Sequence, residues 1–251
     1  MKKTISLFIF LSLVSSSTVI ASLSTIPQDV SIQLKEDTIS PFWKRTITPA
    51  SLIGLGLLAN NSSFEKELQS NLRNRVGNNF EFGIDDFLPF VPTAQMYLAD
   101  LAGVEARNHW FDQSKYAFMS NLLSMSITYS IKGLAQKTRP NGEAFAFPSG
   151  HTTFAFTNAT VLLKEFQDSS PILAYSGYLS AISTGAFRMI NNKHWISDVL
   201  AGAGIGILAT ELIYHFEPLK NWNPFLKKKD MTLLPQLDVG YYGFYYACRI
   251  L

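Results

Sequence analysis

The sequence predicts an all-α protein: a helical bundle of about six to seven helices with a short β-like aromatic C-terminal tail. Three observations carry this. Apolar residues recur at helical spacing over seven segments, 49–59, 64–74, 84–103, 113–136, 151–167, 171–190 and 195–216, whose lengths suit helices and not strands. No alternating apolar–polar run interrupts them, so helix-on-helix packing is the way left to bury their faces. From 233 onward the chain is rich in Tyr and Phe around Gly240 and Gly243, a composition that favours an extended strand or hairpin.

Taken in order, residues 1–21 read as a secretory signal peptide. Lys2 and Lys3 supply the basic start, 5–14 the apolar stretch, and Val19-Ile20-Ala21 a cleavage site; an uncleaved anchor is the other reading. Residues 22–46 are polar and carry Pro27 and Pro41, and are expected to form a linker or amphipathic arm. Residues 47–220 form the helical domain, and 221–251 the tail. Asp85-Asp86 stand at the start of a predicted helix, where acidic residues favour the N-terminus. Between the fourth and fifth helices Gly142, Pro148 and Gly150 mark a loop. Gly202 and Gly206, four apart in the last helix, allow a close helix–helix approach. The run 227–230 is a charged turn.

Composition narrows the possible functions. A net charge of +2 gives no electrostatic case for a nucleic-acid partner. Cys248 is the sole cysteine, which excludes an intrachain disulfide and a cysteine-built metal site. The charge-free stretches, such as 46–64 and 169–187, are marginal as membrane spans because they contain serines, asparagines or proline. They fit helices packed in a bundle equally well, with one resting against a membrane, so peripheral or partial embedding is expected. No feature assigns an oligomeric state.

The chemistry is concentrated in three stretches. Lys132 and Arg139 are seven residues apart, two helical turns, with Pro140 turning the chain after them. Pro148-Ser149-Gly150-His151 has the form of a helix start, whose first-turn N–H groups attract anions; His151 there is placed to protonate a leaving alcohol. Arg188 precedes His194 by six residues, and Asp198 follows His194 by four. On a helix Asp198 is then a neighbour of His194 and can fix its tautomer, freeing the other ring nitrogen to attack. Each stretch alone also fits a plain structural role: a solvated cationic face, an N-cap, a surface His–Asp pair. Together they supply what is needed to hold a phosphate dianion and break its ester.

In this order the three stretches resemble the type 2 phosphatidic acid phosphatase superfamily, which includes bacterial nonspecific acid phosphatases and vanadium haloperoxidases. The family pattern is Lys-x6-Arg-Pro, Pro-Ser-Gly-His and Ser-Arg-x5-His-x3-Asp, and Phe187 stands here where the third motif has Ser. The short gap 141–147, Asp85-Asp86 and the run 187–195 are similar to exported lipid phosphatases of Gram-negative bacteria, including those acting on lipid A. The resemblance implies that His194 is the nucleophile, forming a phosphohistidine, with Asp198 orienting it and His151 as general acid. It implies that Lys132, Arg139, Arg188, Ser149 and the Gly150 N–H cradle the phosphate, with no metal and no cofactor. The expected substrate is a phosphorylated lipid or small phosphomonoester, met in the periplasm or at the periplasmic face of the inner membrane. Alternatives are a broad-specificity soluble periplasmic acid phosphatase, a vanadate-dependent haloperoxidase using the same cationic pocket, or an envelope structural protein with a decayed site. Lys137 lies outside the motifs, so Lys137→Ala is not expected to lose the orders of magnitude in rate that His194→Ala should.

Overall fold

The computed structural model describes residues 41–77, 79–225, 231–238 and 241–248. The signal peptide expected over 1–21, the arm up to residue 40 and the charged run 227–230 lie outside the described residues. Seven α-helices are described: α1 Phe42–Ala59, α2 Ser63–Val76, α3 Val91–Leu101, α4 Trp110–Ala135, α5 Gly150–Phe166, α6 Pro171–Ile190 and α7 Ile196–Phe216. Strands β1 Met231–Asp238 and β2 Tyr241–Cys248 pair antiparallel, Met231 opposite Cys248 and Asp238 opposite Tyr241. The all-α class and the strand-like tail are both borne out.

Two boundaries differ from expectation. The first helix begins at Phe42, so the arm read to 46 is helical over its last five residues. Pro49 suggested the later start but sits inside α1 and is buried there, at the cost of one i→i−4 hydrogen bond. The single helix expected over 84–103 is instead two 3-10 turns, Gly83–Asp86 and Leu88–Phe90, followed by α3. Pro89 and Pro92 each lack an amide donor, which disfavours a continuous helix through both, and Pro92 falls in the first turn of α3, where a missing donor costs least.

Helices α5 and α7 form the centre: α5 packs on α4, α6 and α7, while α7 packs on α1, α4 and α5. Glycines set the spacing. A Cβ on Gly206 would lie 2.5 Å from the Thr153 carbonyl oxygen of α5, and one on Gly204 would lie 2.6 Å from the Pro49 carbonyl oxygen of α1. The Gly202–Gly206 spacing therefore does bring helices together, as read from the sequence. Between α4 and α5 the seam is made of hydroxyls and amides. Thr128 meets Thr153 at 3.0 Å, Thr157 donates to Ser124 at 2.9 Å, and Asn121 donates to Asn158 at 2.8 Å.

Outward the pattern is reversed. Phe118, Leu122 and Tyr129 form an exposed stripe on α4, Ile172, Tyr175, Leu179 and Ile182 another on α6, and Leu55 and Leu58 stand out from α1. Large apolar side chains thus cover outer faces of α1, α4 and α6 while hydroxyls fill the α4–α5 seam, beside a buried apolar core that includes Met96, Leu162 and Phe166. Helix α7 is the one helix among the described residues that is long and apolar enough to cross a bilayer, and two-thirds of it is buried by protein.

Candidate active site

The three predicted stretches meet at the end of the bundle formed by the N-termini of α5 and α7 and the C-termini of α4 and α6. Ser149 caps α5 because its Oγ accepts from the Thr152 amide at 3.4 Å and the Thr152 hydroxyl at 3.0 Å. Its own amide donates to the Asp198 carbonyl oxygen at 3.0 Å, which straps the second stretch to the third. Gly150 and His151 occupy the first turn of α5, where helix geometry leaves amides without intrahelical acceptors. Ser149 is fully buried as a cap, yet a hydroxyl that accepts still has a proton to donate.

On the other side, the α6–α7 loop folds back so that the His194 amide bonds the Arg188 carbonyl oxygen at 3.2 Å. This puts His194, 1% exposed, beside the Arg188 side chain at the end of α6. Asp198, in the first turn of α7, holds His194 Nδ1 at 3.3 Å with Oδ2, the same oxygen that accepts from the Trp195 amide at 2.8 Å. Nδ1 is thereby occupied by Asp198. Burial is the largest influence on the ring and lowers its pKa to about 4; Asp198 opposes this, and Arg188 and Lys132 add to it. Burial thus favours the neutral form of the His194 ring.

The remaining cations converge less tightly. Lys132 Nζ donates to the Phe145 carbonyl oxygen at 2.6 Å, and Arg139 pairs with Glu143 at 2.5 Å while its Nε is buried without a partner. Lys132, Arg139 and Arg188 lie within electrostatic reach of one another. The guanidinium of Arg188 also has a buried, unpartnered Nε.

Three residues with a place in the site were misread from the sequence. Asp85 does not favour a helix start: it is buried, accepting from Arg188 Nη1 at 3.0 Å and from Asn191 Nδ2 at 2.9 Å. Asp86 reaches His151 Nε2 at 3.2 Å and Arg188 at 3.5 Å, so a carboxylate lies between two groups expected to meet the phosphate. Lys137 is not a bystander either. It is buried, and its Nζ donates to Asp198 Oδ1 at 3.1 Å. Among the described residues no group of three or more His, Cys, Asp or Glu side chains converges in a way that could hold a metal ion.

Residues 126–222 match the PAP2 superfamily, and this segment contains every residue of the three stretches. The segment that builds the site is thus similar to PAP2 superfamily domains, the family its motifs resemble. Over 104 residues the chain is 46% identical to the Lipid A 1-phosphatase of Porphyromonas gingivalis, a match that takes in 39% of this chain and 23% of that protein. The match thus spans about a quarter of the length of that relative. Among solved structures, Aquifex aeolicus LpxE is similar at 20% identity and a TM-score of 0.46, over 62% of this chain and 98% of that one. The first transmembrane PAP2 type phosphatidylglycerolphosphate phosphatase from Bacillus subtilis is similar at 16% identity and a TM-score of 0.45, over 71% and 99%.

Proposed function

We propose that this protein is a phosphatase that hydrolyses phosphate monoesters of lipids at a membrane surface through a phosphohistidine. The observation that carries the reading is the buried His194–Asp198 pair at 3.3 Å beside Arg188, with His151 at the facing helix N-terminus. In the first step His194 Nε2 attacks phosphorus, the bond to the ester oxygen breaks, and His151 gives that oxygen its proton. In the second, water attacks the phosphohistidine, neutral His151 takes the water proton, and inorganic phosphate leaves with His194 restored. Arg188, Lys132, Arg139 and the first-turn amides of α5 stabilise the charge on the equatorial oxygens.

The lipid preference rests on the outward apolar stripes of α1, α4 and α6, which suit acyl chains as surroundings, and on the similarity to a lipid A 1-phosphatase. A lipid substrate held in the same bilayer presents its phosphate to the end of the bundle where the site lies. The signal-like start of the chain supports placing that end at the periplasmic face.

The test is phosphate release by purified protein in detergent, without added metal, from phosphatidic acid, lipid A and an aryl phosphate in parallel. A strong preference for a lipid is expected. Equal release from all three would replace the reading with a broad acid phosphatase, and bromination seen only with added vanadate would replace it with a haloperoxidase.

The burial of His194 adds an expected pH dependence. An ordinary imidazole, with a pKa near 6.5, is mostly protonated at pH 5, whereas His194, lowered to about 4, is mostly neutral there. The acid limb of kcat/KM is expected to lie near pH 4, so activity should persist at pH 5. A limb near pH 6.5 would show that the nucleophile is not the buried ring.

A further inference from the structure

Behind the His194–Asp198 pair lies a second buried group of charges. Lys137, in the loop after α4, extends its Nζ to Glu65 Oε2 at 3.0 Å, Ser197 Oγ at 2.7 Å and Asp198 Oδ1 at 3.1 Å. An ammonium has three protons to donate, and here all three are used. The rings of Phe147 and Trp195 lie 5.8 and 5.6 Å from the same nitrogen. The Ser197 hydroxyl also donates to Glu65 Oε2 in a short bond. Glu65 is held from its other side, where Oε1 accepts from the Asn61 amide at 2.6 Å while Ser62 Oγ caps the Glu65 amide at 3.2 Å. All four side chains are buried.

Burying an ion costs several kcal/mol unless it is paired and hydrogen-bonded, so such a cluster needs a balance of charge. A lysine paired with Asp198 alone would cancel the negative charge that His194 needs as its ring becomes positive on phosphorylation. Glu65 removes that difficulty. Two carboxylates and one ammonium carry one net negative charge, the same as a lone Asp198, but with Oδ1 locked and Oδ2 aimed at His194. We propose that Glu65 and Lys137 are positioning residues of the phosphatase site, which fix Asp198 and set the net charge facing His194 at minus one. This rests on His194 being the nucleophile.

The charged groups around Asp198 and His194 are Glu65 from α2, Lys132 from α4, Lys137 from the following loop and Arg188 from α6. Only the first and third are changed in the test, which is the pH dependence of kcat/KM for the full chain in detergent. Lys137→Met leaves two negative charges facing His194, favours the imidazolium, and is expected to move the acid limb up by roughly one pH unit. Glu65→Gln leaves none, disfavours the imidazolium, and is expected to move the limb down by a similar amount. The double variant Glu65→Gln/Lys137→Met restores one negative charge and should return the limb to the wild-type position. A packing defect has no reason to move the two single variants in opposite directions. Shifts in the same direction, no shift, or a double variant that does not return would each overturn the proposal. If a single variant does not fold, the double variant decides by itself: a wild-type limb supports the proposal and a displaced limb overturns it. Failure of the nucleophile assignment looks different, because His194→Ala would then release phosphate as fast as the wild type.

Discussion

His194→Ala is expected to abolish phosphate release, with kcat lower by roughly 10⁴-fold or more, as for the loss of other covalent nucleophiles. No neighbouring group can replace it. His151, the other histidine of the site, is paired with Asp86 at 3.2 Å and is proposed to act on the leaving group instead. Asp198→Asn should cost less, about 10²- to 10⁴-fold, because the ring keeps a partner at Nδ1 but loses the charge that stabilises it when phosphorylated. Rapid alkaline quench with ³²P-labelled substrate adds a second readout, since phosphohistidine survives alkali: the wild type should carry label on protein and the His194→Ala protein none. Lys66→Ala, on the exposed side of α2, is the control and should match the wild type. A folded His194→Ala protein with kcat within tenfold of wild type would remove His194 from the chemistry.

Much of this site was legible in the sequence because its parts are local. Helices α4 to α7 follow from apolar periodicity, Ser149-Gly150-His151 is a short pattern that reads as a helix start, and His194 and Asp198 lie only four residues apart, although His194 stands in the loop before α7 and not on the helix expected to carry both. The serines of α4 were visible too, but their partners on α5 were not, so the polar seam could not be separated from a marginal membrane span. Averaging hydropathy along α4 hides the fact that Ser120, Ser124 and Thr128 face in while Phe118, Leu122 and Tyr129 face out.

The missed residues share one property: their partners are distant in the chain. Glu65 lies 132 residues from Ser197, and Asp85 lies 103 from Arg188. A single glutamate in the first turn of a polar helix has every local reason to be a cap, and Glu65 is one. That its second oxygen reaches the site is a tertiary fact with no local signal. For Lys137 the one hint was its position inside a loop already dense in chemistry, between Lys132 and Arg139. Its three hydrogen bonds tie it to Asp198 from behind, a contact with no local signal in the sequence.

Gly202→Val should be the most damaging substitution away from the reacting groups. A Cβ at this position would stand 2.7 Å from the Ser149 carbonyl oxygen, 3.2 Å from Thr153 Oγ1 and 3.4 Å from Thr152 Cβ. The first contact is with backbone, so α5 and α7 must separate where the Ser149 amide meets the Asp198 carbonyl oxygen at 3.0 Å. Overpacking of this kind costs about 1–3 kcal/mol, and thermal unfolding should fall accordingly. The larger effect should be on kcat. The strap fixes the distance from the first turn of α5 to the proposed nucleophile, and a displacement on the order of 1 Å at a reacting centre can cost about 10²-fold in rate. Gly54→Ala in α1, where a Cβ would meet nothing within 4 Å, should leave the rate unchanged and raise stability slightly, since alanine is the better helix former. If Gly202→Val lowered the melting temperature but kept wild-type kcat, the α5–α7 contact would hold the bundle together without setting the geometry of the site.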